Sequence, residues 1–391
     1  MQTQSKLTKL AARVITGCLL LGFTTLARAQ SNAVPTLYAS AANVPTNIPG
    51  IRTYADPPKG FNPVTASDVD LATYGFPPRP DKQSDPDGYA QWERAMRAAK
   101  VRWNGELKPL HGGGNLMTPR GPRLAEVVHP AISGPTPLST LNAAGIVLTN
   151  KQKVWSNIYS FNSIRTLLTV PTTGVPFGVS CGIGGGIYEE LSYVGIDGYV
   201  NVVDGQNVFN PGVWGGVYTT LGCGEHINIG YFAAFGAGGA NTYAAFEILE
   251  GDVFSVQINV LEASHTSVVF LEDETLQTYN SYSVSTPDIL GDDAEWIVGR
   301  PIGGEGPGPD GVFALANTIA INFNNGVATN GDAKTYYPGS QAASTYNFSM
   351  TDDAGDQPTE IVYAQGSAGR EGLLPLLFTT EACAYSGGCT P

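Results

Sequence analysis

Between Val253 and Val260 the chain alternates without a break: Phe254, Val256, Ile258 and Val260 are apolar, and Ser255, Gln257 and Asn259 are polar. A period of two marks a strand with one buried face, because successive side chains leave opposite sides of a pleated backbone. Such a strand needs a sheet, and the sheet needs a second apolar layer. The pattern recurs at Ile319, Ile321 and Phe323, and at Tyr346, Phe348 and Met350. Asn324-Asn325-Gly326 and Asp353-Ala354-Gly355 supply turn chemistry between such runs. From Lys151 onward no long helical period interrupts them, which predicts an all-β, two-sheet antiparallel β-sandwich of roughly 230 residues, here 151–381.

The preceding residues read differently. Lys6, Lys9 and Arg13 precede an apolar run from Val14 to Leu26, and Ala27-Arg28-Ala29 is a cleavage pattern, so residues 1–29 are predicted to be a signal peptide. Ile15-Thr16-Gly17-Cys18 offers a lipoprotein reading, but the apolar run lies mostly after Cys18. The expected destination is outside the cell or in the periplasm, with no membrane association after cleavage. Residues 30–150 form a pro-region-like or accessory segment. It is Pro-rich and extended or loosely ordered up to about residue 85. One helix is expected near 89–103, where Trp92, Met96, Ala99 and Trp103 recur at helical spacing. A Gly-rich linker is expected from residue 104 to 150.

Charge is unevenly divided. Residues 30–150 carry 11 Lys+Arg against 9 Asp+Glu; residues 151–391 carry 6 against 25, a net of −19. That excess repels itself at neutral pH and is relieved by acid, and it excludes nucleic acid as a partner. With the signal removed, Cys181, Cys223, Cys383 and Cys389 remain. An even count in an exported chain favours disulfides, and four cysteines allow three connectivities. Cys383 and Cys389, in the tail 382–391, are close enough to close a local loop, which would pair Cys181 with Cys223. The histidines His111, His129, His226 and His265 show no zinc spacing, so neither metal nor cofactor is expected. Gly178-Val179-Ser180-Cys181-Gly182 fits G-x-S-x-G, but a Gly-rich stretch and another strand follow where a nucleophile elbow needs a helix.

Two further stretches carry the functional reading: Tyr193-Val194-Gly195-Ile196-Asp197-Gly198 and Ala294-Glu295-Trp296-Ile297-Val298-Gly299-Arg300-Pro301. They resemble the paired active-site strands of the glutamic peptidases, or eqolisins. Val154-Trp155-Ser156-Asn157, Leu167-Leu168-Thr169-Val170-Pro171, Tyr243-Ala244-Ala245-Phe246-Glu247 and Ser344-Thr345-Tyr346-Asn347 resemble other strands of that family in order and spacing. The resemblance implies a concanavalin-like sandwich and acid endopeptidase chemistry. There a glutamate takes a proton from the attacking water and a glutamine amide stabilises the oxyanion. It places the general-base glutamate where this chain has Gly299. Gln206 is the expected amide, with Asn210 as its rival.

The implied substrate groove takes Trp155, Tyr193, Asp197, Ala245, Glu247 and Glu295, with alanine at 245 where the family has tryptophan. Trp214 and Phe246 are further aromatic candidates. Glu295 is no substitute base, since four residues of strand span about 13 Å. Hydrolysis is therefore expected to be absent or weak, leaving a groove that binds polypeptide or glycan. Two other classes stay open: a working acid endopeptidase that recruits Glu247 or Glu305, and a structural envelope or surface protein. Oligomeric state is not legible.

Overall fold

The computed structural model describes residues 37–110, 136–140, 143–149, 160–175, 181–182, 186–198, 200–203, 206–209, 212–237, 241–261, 264–300, 315–318, 321–338, 345–351, 360–365 and 376–380. The N-terminal segment contributes β1 (Val44–Pro45), β2 (Arg52–Thr53), α1 (Asp68–Thr73), α2 (Pro86–Ala98), β3 (Val101–Arg102) and β4 (Lys108–Pro109). Next come β5 (Thr136–Thr140), β6 (Ala143–Thr149), β7 (Phe161–Thr169), β8 (Thr173–Gly174) and β9 (Ile187–Ile196). A small hairpin, β10 (Val200–Val203) and β11 (Gln206–Phe209), leads into β12 (Val213–Cys223), β13 (Ile227–Ala237) and β14 (Asn241–Ile248). The central strands are β15 (Val253–Leu261), β16 (Thr266–Asp273), β17 (Thr278–Ser285) and β18 (Asp293–Gly299). The chain closes with β19 (Asn317–Thr318), β20 (Ile321–Asn330), β21 (Thr335–Tyr336), β22 (Thr345–Thr351), β23 (Glu360–Gln365) and β24 (Leu376–Thr380).

These strands form the expected sandwich of two antiparallel layers. One layer runs β22-β6-β18-β9-β12-β13-β14 and takes β4 on its edge. The other runs β24-β20-β7-β15-β16-β17 and takes β2 and β3 on its edge. Phe254, Val256 and Ile258 of β15 meet Val194, Ile196, Trp296 and Phe235 between the layers. A disulfide joins Cys181 to Cys223, Cα atoms 4.8 Å apart, and ties the approach to β9 to the end of β12. In the chain-entropy view a loop of that length contributes roughly 4 kcal/mol. Cys383 and Cys389 lie outside the described residues, as do residues 1–29.

Three expectations change. The sandwich begins before Lys151, because β6, read within a linker, is an unalternating apolar run enclosed between β18 and β22. The helix is Pro86–Ala98, starting where Asp85 caps it by accepting from Gly88 N at 3.0 Å and Pro86 sets the first turn. Ala99 turns extended, and Val101–Arg102 pairs with β17 instead of continuing the helix. Third, the Pro-rich segment is not loose. Its ordering rests on long-range bonds: Tyr38 OH to Phe76 O at 2.6 Å, Thr53 Oγ1 to Asn280 Oδ1 at 2.8 Å, and Asn280 Nδ2 to Trp103 O at 2.9 Å.

The polar face of β15 explains why that segment stays. Ser255, Gln257 and Asn259 point away from the core as the alternation requires, yet all three are buried. Trp92 and Met96 of α2 pack with Phe270 and Tyr279 across the same outer surface. Arg165 of β7 reaches Asp85 Oδ2 at 2.6 Å, pinning the helix N-terminus to the layer. Trp92 Nε1 donates to Pro77 O at 3.0 Å, so its one polar atom is satisfied in the dry interface. Trp92→Ala should therefore cost about 3–5 kcal/mol of unfolding free energy, measured by urea titration of the whole chain. A loss below about 1 kcal/mol would mean that the segment is a loose cover.

Candidate functional site

Asp197 sets the geometry of the outer face opposite the core. It ends β9 in the left-handed region (φ 54°), which aspartate tolerates better than most residues. Its carboxylate accepts from four successive backbone N–H groups: Leu290 at 2.5 Å, Gly291 at 2.9 Å, Asp292 at 2.6 Å and Asp293 at 3.3 Å. Those residues lead directly into β18, and Asp197 N in turn donates to Asp293 O at 3.1 Å. The clamp fixes the register of β18 against β9.

That register builds three rows across the sheet. The first reads Val147, Glu295, Gly195, Trp214 and Gly236. The second reads Gly145, Ile297, Tyr193, Gly216, Ala234 and Ala244. The third reads Ala143, Gly299, Leu191, Tyr218, Phe232 and Glu247. The middle row is low where Gly216, Ala234 and Ala244 follow one another, with Trp214 on one side and Tyr218 and Phe232 on the other. Tyr193 and Trp214 pack with ring centroids 5.4 Å apart, and Tyr218 and Phe232 with centroids 6.4 Å apart. Val147, Leu191, Tyr193, Trp214, Tyr218, Ala234 and Ile297 form one apolar cluster along this trough.

The expected site residues divide accordingly. Tyr193, Glu295 and Gly299 share the face as strand periodicity requires. Trp214 belongs there too, whereas Phe246 joins the core between the layers. Ala245 also packs in that core, because β14 carries one extra residue between Glu247 and Ala244 opposite Phe232–Ala234 of β13, and this bulge brings Ala244 to the outer face. Glu247 stands in the row of Gly299 but four strand spacings away, about 19 Å. Gln206 pairs with Val203 at the tip of the β10–β11 hairpin, a two-stranded sheet separate from the rows. Its side chain, Asn210, Trp155 and Glu305 lie outside the described residues. Opposite Leu191, across from Gly299, the structure has Tyr218.

Sequence reasoning missed Glu189 and Glu190. The run Tyr188-Glu189-Glu190-Leu191 breaks alternation and gives no periodic signal, although two adjacent acids within an otherwise apolar strand were a visible anomaly. Glu189 lies on the groove face, two residues along β9 from Leu191, and accepts from Tyr218 OH at 2.5 Å. Glu190 points to the other face and accepts from Thr318 Oγ1 at 2.8 Å and Ser192 Oγ at 3.2 Å.

Acid groups dominate the buried charge. Among the described residues nine carboxyls are buried (Glu189, Glu190, Asp197, Asp252, Glu272, Asp273, Asp292, Asp293 and Glu295) against three arginines, Arg102, Arg165 and Arg300. Buried arginines are fewer than buried acids, and burial of a carboxyl favours its protonated form. Burial pushes Glu190 up to about 7. It pushes Glu272, neither of whose oxygens has a hydrogen-bond partner, well above the carboxylate range. Burial, with Asp252 alongside, raises Asp273 to about 6. Burial lifts Glu295 to about 8, helped by the charge of Asp197; Asp197 itself rises to about 7, its four N–H donors pulling the other way. The donors favour charge on Asp197, so the pair keeps its last proton on Glu295.

No group of three or more His, Cys, Asp or Glu among the described residues is arranged to hold a metal ion. The sequence matches the model of the Peptidase A4 family over residues 141–364. No curated protein matches it. Among solved structures it is similar to scytalido-glutamic peptidase with a transition state analog inhibitor, at 15% identity, covering 61% of this chain and 98% of that one, with a TM-score of 0.43. A second structure of that enzyme, with a peptide-based transition state analog, gives 15% identity, the same coverage and a TM-score of 0.39. Peanut lectin with a nonapeptide gives 10% identity, 51% and 91% coverage, and a TM-score of 0.24.

Two measurements check this electrostatic account. Each raised carboxyl contributes stability that is complete below its unfolded value of about 4 and lost as pH climbs through the folded value. Thermal stability should accordingly be greatest near pH 4 and decline in steps through about 6 (Asp273), about 7 (Glu190, Asp197) and about 8 (Glu295). A melting temperature that instead rises from pH 4 to pH 8 would contradict it. Asp197→Ala strands four backbone donors and should cost about 3 kcal/mol or more in urea unfolding at pH 5.

Proposed function

Since the chain belongs to the Peptidase A4 family, we propose that it is an exported protein of acidic surroundings that uses the family's concave face to bind an extended polypeptide, without hydrolysing it through position 299. One observation carries the reading: the row that holds Gly299 presents Leu191 and Tyr218 beside it, neither a carboxylate nor an amide, while the next row keeps the small residues Gly216, Ala234 and Ala244. Among the described residues of that row and its neighbours, no carboxylate or amide stands beside Gly299 to serve a water there as base or oxyanion donor.

Polypeptide is favoured over glycan by what the sheet edge already accepts. The chain's own β4 adds to β14, pairing Pro109 with Tyr243 and Lys108 with Ala244. Leu110 N donates to Thr242 O at 2.9 Å, and the Leu110 side chain packs on the groove cluster. Strand addition satisfies backbone groups of any extended peptide, and side-chain pockets then select among them. Export is supported by the disulfide, which persists in oxidising compartments, and by the basic, apolar and Ala-x-Ala pattern of residues 1–29. No helix among the described residues is long and apolar enough to cross a membrane.

A second reading has its own observation. Glu189 is a carboxylate on the groove face, one diagonal step from Gly299, a separation of about 7–8 Å between Cβ positions. An acid endopeptidase could recruit it as base, with Tyr218 holding it. The mature protein should leave an unfolded protein substrate intact between pH 2 and pH 5; Gly299→Glu restores a carboxylate on that face, and continued silence would show that more than the base has changed. Turnover abolished by Glu189→Gln, with folding retained, would establish the second reading instead; turnover abolished by Gln206→Ala would restore that residue as the amide.

A further inference from the structure

The helix α2 covers the outer face of the β15–β16–β17 layer, and one acid lies beneath that cover. Glu272 shares its face of β16 with Phe270, stands between Ser255 of β15 and Tyr279 of β17, and is buried. Trp92 and Met96 pack on Phe270 and Tyr279, so Glu272 sits at the seam between the N-terminal segment and the sandwich. Neither of its oxygens has a hydrogen-bond partner. Two nearby arginines are committed elsewhere. Arg94 of α2 pairs with Glu274 at 2.9 Å; Arg102 of β3 lies over the Tyr279 ring at 5.0 Å and donates to Asn280 Oδ1 at 2.9 Å. Beyond α2 the segment is tied down by short backbone bonds. Lys100 N and Val101 N donate to Gln277 O at 3.2 and 3.0 Å, and Trp103 N donates to Tyr279 O at 2.8 Å.

We propose that Glu272 makes the docking of α2 and β3 an acid-dependent latch: its protonated carboxyl is tolerated beneath them, and its ionisation lifts the segment so that water reaches the carboxylate. The latch goes beyond the groove reading and does not depend on what the groove binds. Its position sets Glu272 apart from other buried acids. Glu190 shares its face of β9 with Val194 and Ile196 of the core, so hydrating it requires opening the sandwich itself. Hydrating Glu272 requires moving only the segment above it.

The groups facing Glu272 set the direction of the switch. Glu274 and Asp273 come from its own strand and the turn after it, Arg94 from α2, Lys100 from the link into β3, and the Tyr279 phenol from β17. Burial first, and then the charge of Glu274, push Glu272 well above the carboxylate range; Asp273 adds to the rise, while Arg94 and Lys100 oppose it. Burial also raises Tyr279, which therefore stays protonated and brings no charge. A carboxyl raised by docking supports the docked form fully below its free value of about 4. That support is lost as pH climbs toward the docked value, and over this range each pH unit favours the lifted form about tenfold.

The test is hydrogen–deuterium exchange of the full mature chain at pH 5, 6 and 7, with rates corrected for intrinsic exchange. Wild type is compared with Glu272→Gln, with Glu272→Leu as a second variant should glutamine prevent folding, and with Glu190→Gln. Protection of the amides of residues 100–103 should fall at least about 30-fold from pH 5 to pH 7 in wild type and in Glu190→Gln. In the Glu272 variants it should change less than about 3-fold, because the titrating group is gone. The amides of β15 should keep their protection throughout, which marks local lifting and not global unfolding. Wild-type protection at 100–103 that does not vary with pH would overturn the latch. So would an equal fall in the Glu272 variants, or a parallel fall in β15.

Discussion

Four hydrogen bonds to one carboxylate decide where the groove lies. Asp197 collects the backbone N–H groups of Leu290 through Asp293 and thereby joins the end of β9 to the start of β18. A slip of one residue would turn every side chain of β18 to the other face. Glu295, Ile297 and Gly299 would enter the core, and Ala294, Trp296 and Val298 would leave it. The left-handed conformation of Asp197 is strained for most residues, and the clamp is what supports it. The aspartate of the V-G-I-D-G stretch is thus a positioning device for its neighbours; its own oxygens are turned to backbone and away from any ligand.

The clamp also has an electrostatic consequence. Burial raises Asp197 to about 7 against the pull of its N–H donors, and above that pH its charge discourages a second one on Glu295. The same logic extends through the sandwich, where buried acids outnumber buried arginines three to one among the described residues. Such an interior is better tolerated when protons are abundant, and the acidic excess of residues 151–391 acts in the same direction. The N-terminal segment shares in this balance. Glu272 lies buried beneath it, and Arg94 of α2 reaches Glu274 at 2.9 Å.

How much of this was legible in the sequence depends on what each residue's neighbours are. The alternation of β15 named its core face correctly, but could not show that Ser255, Gln257 and Asn259 would be covered by a helix from 160 residues earlier. β6 hid because a strand enclosed on both sides loses the period of two and reads as an apolar run among glycines. Ala245 was assigned to the groove by counting, and a bulge in its own strand moved that position to Ala244. Glu189 and Tyr218 meet only because β9 and β12 pair, with 29 residues and a hairpin between them. Residue identity on β18 was read off directly; which residue stands across from it was a property of register, and register resides in the clamp.

The low middle row does not depend on which residue stands at 299, because it is a by-product of how the strands approach. A Cβ on Gly216 would lie 2.1 Å from Ser192 O, so the floor is low there to let β12 pair with β9, whatever the groove binds. Ala234 and Ala244 extend the same low line onto the next strands, with Tyr218 and Phe232 standing beside it. The walls are aromatic and the floor is backbone, a combination suited to an extended chain and indifferent to whether that chain is cut. Catalysis in such a fold is a pair of side chains added to a surface that sheet packing already provides. The sheet packing that provides the surface does not depend on them.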